Sequence, residues 1–389
     1  MTTRGRDTDV IHRGEDQPWQ IDSLTVPICE TTTFVFDSAE QVRLYQEGKV
    51  KKYLYSRYAN PTVVAAEQKL AALDGAEAAL LFASGMAAIS TTLLTFLQAG
   101  DELLATTALY GGTFRLLQDV LPRLGITTRW ATLEEMTHPE RLIGPRTKAC
   151  WFESPINPTL RCVDIRQVGD ACRARGVVSI VDNTFASPFN QRPLALGVDL
   201  VMQSATKYLN GHADVTGGCV AGPAPQIEKI DRMRRLLGGV LDPQAAFALA
   251  RGLKTLSVRM GRHNANALAI AQALSADRRV SRVFYPGLES HPDHSIARKQ
   301  MTGFGGMVTF EVPGGLDRAS SVFDRFSVVR RATSLGGVES LASLPVLTSH
   351  YGYGPEALER AGVTPGMIRL SVGLEDVADL VADLDQALG

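Results

Sequence analysis

The chain has 389 residues, enough for two domains, and 40 basic against 41 acidic residues leave a formal charge of -1. With no long basic run and no aromatic residues interleaved in a basic patch, the composition argues against nucleic acid as a partner. Apolar stretches are interrupted before a bilayer is spanned, and the polar, acid-containing N-terminus lacks the apolar segment of a signal peptide, so a soluble cytoplasmic protein is expected.

Residues 1–62, rich in Thr, Pro, Tyr and charge without sustained periodicity, read as an extended arm that contacts a neighbouring subunit. From Val63 a helical pattern runs through Ala65, Leu70 and Leu73 to Asp74-Gly75 and gives way to a strand, Ala78–Phe82. A helix capped by Ser84 then runs through Leu97, followed by a strand at 102–105, a helix at 113–124 and a strand at 126–130. Apolar runs at 149–152, 177–181 and 200–202, with the helix Ile165–Arg175 between the first two, continue the rhythm. Such alternation calls for an α/β domain, here 63–253, with a mainly parallel sheet covered by helices. Past Lys254 the pattern becomes a long helix at 255–274, strands at 280–284 and 306–312, a helix at 316–326, a strand at 368–372 and the helix Val377–Leu388. This is a smaller C-terminal α+β domain, 254–389. Five scattered cysteines without a C-x-x-C pair read as free thiols, and the dispersed histidines, His291 and His294 in a loop-like segment being closest, give no metal site.

The chemistry concentrates where strands are expected to end. In V-D-L-V-M-Q-S-A-T-K-Y-L-N-G-H-A-D-V-T-G-G (198–218) a short apolar run precedes small hydroxyl residues and one lysine, Lys207. A lysine in a polar crevice, its ammonium destabilised by restricted solvation and neighbouring cations, forms a Schiff base with an aldehyde. Pyridoxal 5'-phosphate (PLP) is the aldehyde cofactor that fits, because Ser204 and Thr206 flank the lysine with hydroxyls for phosphate oxygens. Asp182 closes the run 177–181 and puts a carboxylate at the C-terminal end of a buried strand, where open α/β sheets bind ligands. There it favours a protonated pyridine nitrogen, with Thr184 orienting the same ring edge. In F-A-S-G-M-A-A-I the amides of Gly85 and Met86 and the helix dipole attract phosphate. Upstream, Tyr55 and Arg57 in Y-L-Y-S-R-Y-A-N-P-T offer a hydroxyl and a guanidinium to the same group. Tyr110, before Gly111-Gly112, can stack on a flat ring and carry protons. Asn157, between two prolines, offers its amide to the cofactor phenolate or a substrate carboxylate. Arg369, in an apolar strand, either awaits a carboxylate or forms a structural salt bridge.

Taken together, these segments resemble the Cys/Met-metabolism family of PLP enzymes: cystathionine γ-lyase, cystathionine γ-synthase, methionine γ-lyase, cystathionine β-lyase and homoserine-ester sulfhydrylases. The resemblance spans nearly the whole chain, through Y-S-R-x-x-N-P-T, A-S-G-M-A-A, L-Y-G-G-T, E-S-P-x-N-P-T, V-D-N-T-F-A-S-P, S-A-T-K-Y-L-N-G-H-A-D-V, S-L-G-G-V-E-S-L and I-R-L-S-V-G-L-E-D. It implies a fold-type I subunit in a homotetramer of tight dimers, with Lys207 bearing the cofactor and Asp182 on its pyridinium. Tyr55 and Arg57 would then reach the phosphate in the neighbouring subunit, alongside Gly85, Met86, Ser204 and Thr206. Tyr110 would stack on the ring, and Asn157, Ser334 and Arg369 would hold the substrate's α-carboxylate end. Arg115 looks like the distal-group contact of the cystathionine γ-enzymes, and Gly112 stands where methionine γ-lyases look to have cysteine. Thr333 replaces the acid that those cystathionine enzymes usually carry before S-L-G-G, and Ser349-His350-Tyr351 replaces a common T-H-A run at the entrance. The resemblance implies a carbon–sulfur lyase or γ-replacement enzyme acting on an amino acid, foremost a cystathionine γ-lyase-like enzyme releasing 2-oxobutyrate, ammonia and a thiol. The alternatives are a cystathionine γ-synthase or homoserine-ester sulfhydrylase, a methionine γ-lyase and, from another class, a PLP aminotransferase.

Overall fold

The computed structural model describes residues 5–15 and 22–389; the rest of the arm expected over 1–62 lies outside the described residues. Within the arm, α1 (Arg6–His12) and α2 (Ala39–Gln46) are short helices, so the segment is less extended than its weak periodicity suggests. Lys69 ties α1 down, its buried Nζ donating to the Val10 and Ile11 carbonyls. α3 (Pro61–Asp74) starts two residues before the expected point: Asn60 accepts from the Thr62 amide, Pro61 opens the first turn, and Gly75 ends the helix in the left-handed conformation.

The chain continues through β1 (Ala78–Phe82), α4 (Gly85–Phe96), β2 (Glu102–Thr106), α5 (Gly111–Arg115), β3 (Thr127–Ala131), β4 (Thr147–Glu153), α6 (Ile165–Arg175), β5 (Val178–Asp182), α7 (Ser187–Asn190), β6 (Leu200–Gln203) and β7 (Gly218–Gly222). These strands form one sheet in the order β1-β7-β6-β5-β4-β2-β3, mainly parallel, with β7 antiparallel to both neighbours. Alternate residues feed opposite layers. Leu80, Phe82, Leu103, Trp151 and Ile180 pack with α4, whereas Leu81 packs with α3, and Leu104, Phe152 and Val181 pack with α6. The helix expected at 113–124 is instead α5, a wider turn over Leu116–Val120 and a tighter one over Leu121–Leu124. Pro122 has no N–H to donate one turn back, so the ladder changes period.

α8 (Ala224–Leu237) and α9 (Pro243–Leu253) follow, in a stretch without a sequence-based assignment. α10 (Leu256–Ala276) packs its first turns, through Leu256 and Met260, on the core of the first sheet and its last turns, through Ile270 and Leu274, on a second. β8 (Arg282–Phe284), α11 (His294–Gln300), β9 (Met307–Glu311), α12 (Gly315–Arg325), β10 (Arg330–Arg331), β11 (Leu341–Ser343), α13 (Pro355–Arg360), β12 (Met367–Ser371) and α14 (Val377–Leu388) complete the chain. The second sheet runs β10-β11-β12-β9-β8 and is antiparallel except between β10 and β11. His294 opens α11 rather than lying in a loop. Among the described residues no helix is long and apolar enough to cross a membrane.

Candidate active site

A cavity of 630 Å³ lies at the C-terminal ends of β4, β5 and β6, and is also lined by residues 333–335 and 347–349 and by Arg369 of β12. Parallel strands leave their C-terminal ends open to such a crevice, and the second sheet supplies its other lining. Lys207 lies in the loop after β6, where the Ser204 carbonyl accepts its amide and its carbonyl accepts from Gly211. Its Nζ is 2.6 Å from the Ser334 hydroxyl. Burial, reinforced by the charge of Arg369, lowers the Lys207 ammonium to about 8, so the nucleophilic amine is accessible near neutrality. Ser334 is held at φ 86°, a conformation a serine adopts only under constraint from its surroundings.

Asp182 ends β5 with Oδ1 accepting from the Thr184 amide at 2.9 Å and from its hydroxyl at 2.5 Å. Thr184 in turn accepts from the Ser204 amide, linking β5 to the Lys207 loop. Burial raises the Asp182 carboxyl, and these two bonds pull it back. Beside it, Glu153 ends β4 in register with Asp182.

At the head of α4, Ser84 accepts from the Ala87 amide, leaving the Gly85 and Met86 amides without a partner in the helix. Close packing makes this turn a cradle. A Cβ on Gly218 of β7 would lie 2.4 Å from the Ser84 carbonyl oxygen, and one on Gly85 would lie 3.3 Å from the Ser204 side chain. The Thr206 hydroxyl engages both polar groups of the Gly217 backbone. Tyr110 is half exposed on the cavity, and a Cβ on Gly112 would lie 2.6 Å from its ring and 2.9 Å from the Met86 sulfur. Arg369 donates from Nη1 to Asn157 Oδ1 at 2.8 Å and from Nη2 to the Ser334 carbonyl at 3.1 Å. Its Nε is buried without a protein partner.

Thr333 and Ser349 also line the cavity, so Lys207, Asp182, Thr184, Gly85, Met86, Ser204, Thr206, Tyr110, Asn157, Ser334, Arg369, Thr333 and Ser349 are brought together. Three expected residues are not. Arg115 does not line the cavity; it is largely exposed, and its carboxylate neighbour is Asp119, one turn on, at 3.7 Å. Tyr55 and Arg57 do not line this chain's cavity; Arg57 stacks on Tyr58 at 4.9 Å and donates to the Arg235 carbonyl. Glu153 is the acidic group that residue-by-residue reading missed. Its signal was the parallel alignment of 149–152 with 177–181, which carries the next residue of one strand beside Asp182.

A lysine with a lowered pKa, a buried carboxylate, a helix head shaped by glycines and an exposed aromatic ring are what a phosphorylated pyridine aldehyde requires, and the residues present fit PLP. The comparisons agree with this class. The profile of the "Cys/Met metabolism PLP-dependent enzyme" family matches residues 7–389. L-methionine gamma-lyase of Pseudomonas putida is 42% identical, over 98% of this chain and 96% of its own. Cystathionine gamma-synthase 1, chloroplastic, of Nicotiana tabacum is 41% identical, over 97% of this chain and 71% of its own. The crystal structure of cystathionine gamma-lyase from Lactobacillus plantarum complexed with L-serine superposes with a TM-score of 0.92 at 39% identity, covering 99% of this chain and 98% of that one. The chain belongs to the Cys/Met metabolism family of PLP-dependent enzymes.

Proposed function

We propose that the protein catalyses PLP-dependent γ-elimination from an amino acid with an uncharged γ-substituent, releasing 2-oxobutyrate and ammonia, with a thiol when the substituent is a thioether. The observation that carries the choice of tail is the cavity wall at 333–335 and 347–349. Thr333, Ser334, Leu335, Leu347, Thr348 and Ser349 supply hydroxyl and apolar groups and no carboxylate, while the cavity's acids, Glu153 and Asp182, sit together at the ends of β4 and β5. The second ammonium of cystathionine meets no counter-ion on that wall, and leaving it unpaired there is costly. Methionine or an acylated homoserine carries no such charge. Cystathionine γ-lyase-like elimination, the foremost expectation from the sequence, therefore ranks behind elimination from a neutral tail, the reaction type for which the Pseudomonas putida relative is named.

Bound in the cavity, PLP supplies an electron-withdrawing ring that makes the Cα and Cβ hydrogens of an attached amino acid acidic. Arg369 binds the α-carboxylate through the nitrogen that Asn157 and Ser334 leave unengaged, fixing the substrate in the cavity that Lys207 enters. The Lys207 amine takes the Cα proton, gives it back to the substrate–cofactor conjugate, and then takes a Cβ proton, whose electron pair expels the γ-substituent. Asp182 would hold the pyridine nitrogen of the cofactor and Tyr110 would pack against its ring, while the Tyr110 phenol gives a proton to sulfur as the Cγ–S bond breaks. Water completes the balance: methionine and water give methanethiol, 2-oxobutyrate and ammonia. The Gly85 and Met86 amides would hold the phosphate with Ser204 and Thr206. Tyr55 and Arg57, set apart from their own chain's cavity, complete the phosphate site of a neighbouring subunit in a homotetramer of tight dimers. With a thiol in the cavity the same residues support γ-replacement, the synthase or sulfhydrylase reaction.

The test is a mass-spectrometric product profile of the PLP-loaded enzyme with methionine, cystathionine, cysteine and acylated homoserines, each with and without added thiol. We expect 2-oxobutyrate without thiol, with kcat/KM for the best neutral-tail substrate about tenfold or more above that for cystathionine. Preference for cystathionine, product only when thiol is added, or amino transfer to an added 2-oxoacid would each overturn the reading.

A further inference from the structure

Glu153 and Asp182 end neighbouring parallel strands at paired positions, 5% and 9% exposed. Their surroundings differ. Asp182 accepts from the Thr184 amide and hydroxyl, whereas Glu153 Oε1 accepts from the Tyr110 amide at 2.6 Å. Around Glu153 the titratable groups are Asp182 from β5, the Tyr110 phenol from the segment before α5, and Lys207 and Arg369 of the same cavity lining. β2 ends in the neutral pair Ala105-Thr106, and α4 presents Met86 and Ile89. Burial raises both carboxyl groups, and the charge of Asp182 raises Glu153 further. Two neighbouring buried acids disfavour each other's charge, and the two Thr184 bonds favour the ionised form at Asp182 more than the single Tyr110 bond favours it at Glu153.

Tyr110 depends on this arrangement. Its ring is half exposed, the two residues after it are glycines, and its amide is anchored on Glu153. We propose that Glu153 is a positioning residue: it grips the Tyr110 backbone to set that ring on the cavity and, by staying protonated, leaves Asp182 as the one negative charge at these paired strand ends. The residue thereby couples the partner of the ring nitrogen to the partner of the ring face.

The test uses the full-length holoenzyme and two variants. Glu153→Gln keeps the size, the acceptor for the Tyr110 amide and an N–H donor in place of the carboxyl O–H; Glu153→Ala removes all three. The readouts are the PLP dissociation constant, the induced circular dichroism of the cofactor band and the pH midpoint of its visible absorption. The glutamine variant is expected to bind PLP within about threefold of the parent, and the alanine variant to bind about tenfold more weakly with reduced dichroism. The pH midpoint in the glutamine variant stays in place, because no charge is removed. A shift of that midpoint by about half a pH unit or more overturns the proposal, since it requires a charged Glu153. Unchanged PLP affinity and dichroism in the alanine variant overturn the positioning role. If the alanine variant does not fold, Glu153→Met, which keeps the bulk and removes the acceptor for the Tyr110 amide, takes its place with the same affinity and dichroism readouts and the same expected losses. These readouts report cofactor binding, so they hold whichever amino acid proves to be the substrate.

Discussion

Lys207 combines a half-buried position with a hydroxyl partner, Ser334, and a cationic neighbour, Arg369, and its ammonium falls from the ordinary 10.5 to about 8. The sign is that of a depressed base: between these values the unfolded chain binds more protons than the folded one, so the PLP-free protein gains stability as pH rises through that window. The same shift governs cofactor capture, which needs the neutral amine. Mixing PLP-free enzyme with PLP should therefore give a visible-band formation rate that rises with pH and levels off above about 8. A rate still climbing beyond the ordinary lysine value would remove the lysine from this role. Lys207→Ala should abolish that band and lower turnover by roughly 10³-fold; an unchanged spectrum and rate would exclude Lys207 as the base. At this scale much of the site was legible. Asp182, Lys207 and Gly85 announce themselves because a strand ends beside each of them. Arg115, expected at the site, does not line this chain's cavity, and its neighbours in sequence do not say which way a five-residue helix turns its side chains.

Elements hold these groups in place through contacts distant in sequence. Arg259 of α10 is buried and donates to the Tyr208, Leu209 and Gly252 carbonyls, clamping the loop that follows Lys207 against the end of α9. Gly252 lets the two approach, for a Cβ there would lie 2.3 Å from the Asn210 carbonyl oxygen. Replacing Arg259 by Leu leaves buried carbonyls unmet, and a loss of about 3 kcal/mol is expected in urea unfolding of the PLP-free protein. Lower PLP occupancy should accompany it; an unchanged midpoint and occupancy would show that the loop holds itself. The α/β alternation was readable because a buried parallel strand is a short apolar run with turns at both ends. β7, α8 and α9 were not, and the helix at 113–124 was read through a proline that breaks its ladder.

Across the whole molecule, the cavity draws Lys207 and Asp182 from one sheet and Arg369 from the other, with α10 packed on both cores. Leu24, Val35, Leu236 and Val258 stand more than three-quarters exposed. If Tyr55 and Arg57 serve a neighbour's cofactor, an inactive Arg57→Ala enzyme and an inactive Lys207→Ala enzyme, unfolded and refolded together, should regain activity in mixed oligomers. Each mixed pair then contains one site with both native residues. Mixtures no more active than either variant alone would return Arg57 to its own chain. What the sequence alone determined was the alternating architecture and most of the side chains that gather at the cavity, because periodicity and strand-end chemistry are local. Only the tertiary structure decided that Arg369 has a buried nitrogen without a protein partner, that residues 333–335 and 347–349 come to one cavity, and that Glu153 lies in register with Asp182. Each of these depends on burial and on distances between segments far apart in the chain, which no local pattern encodes.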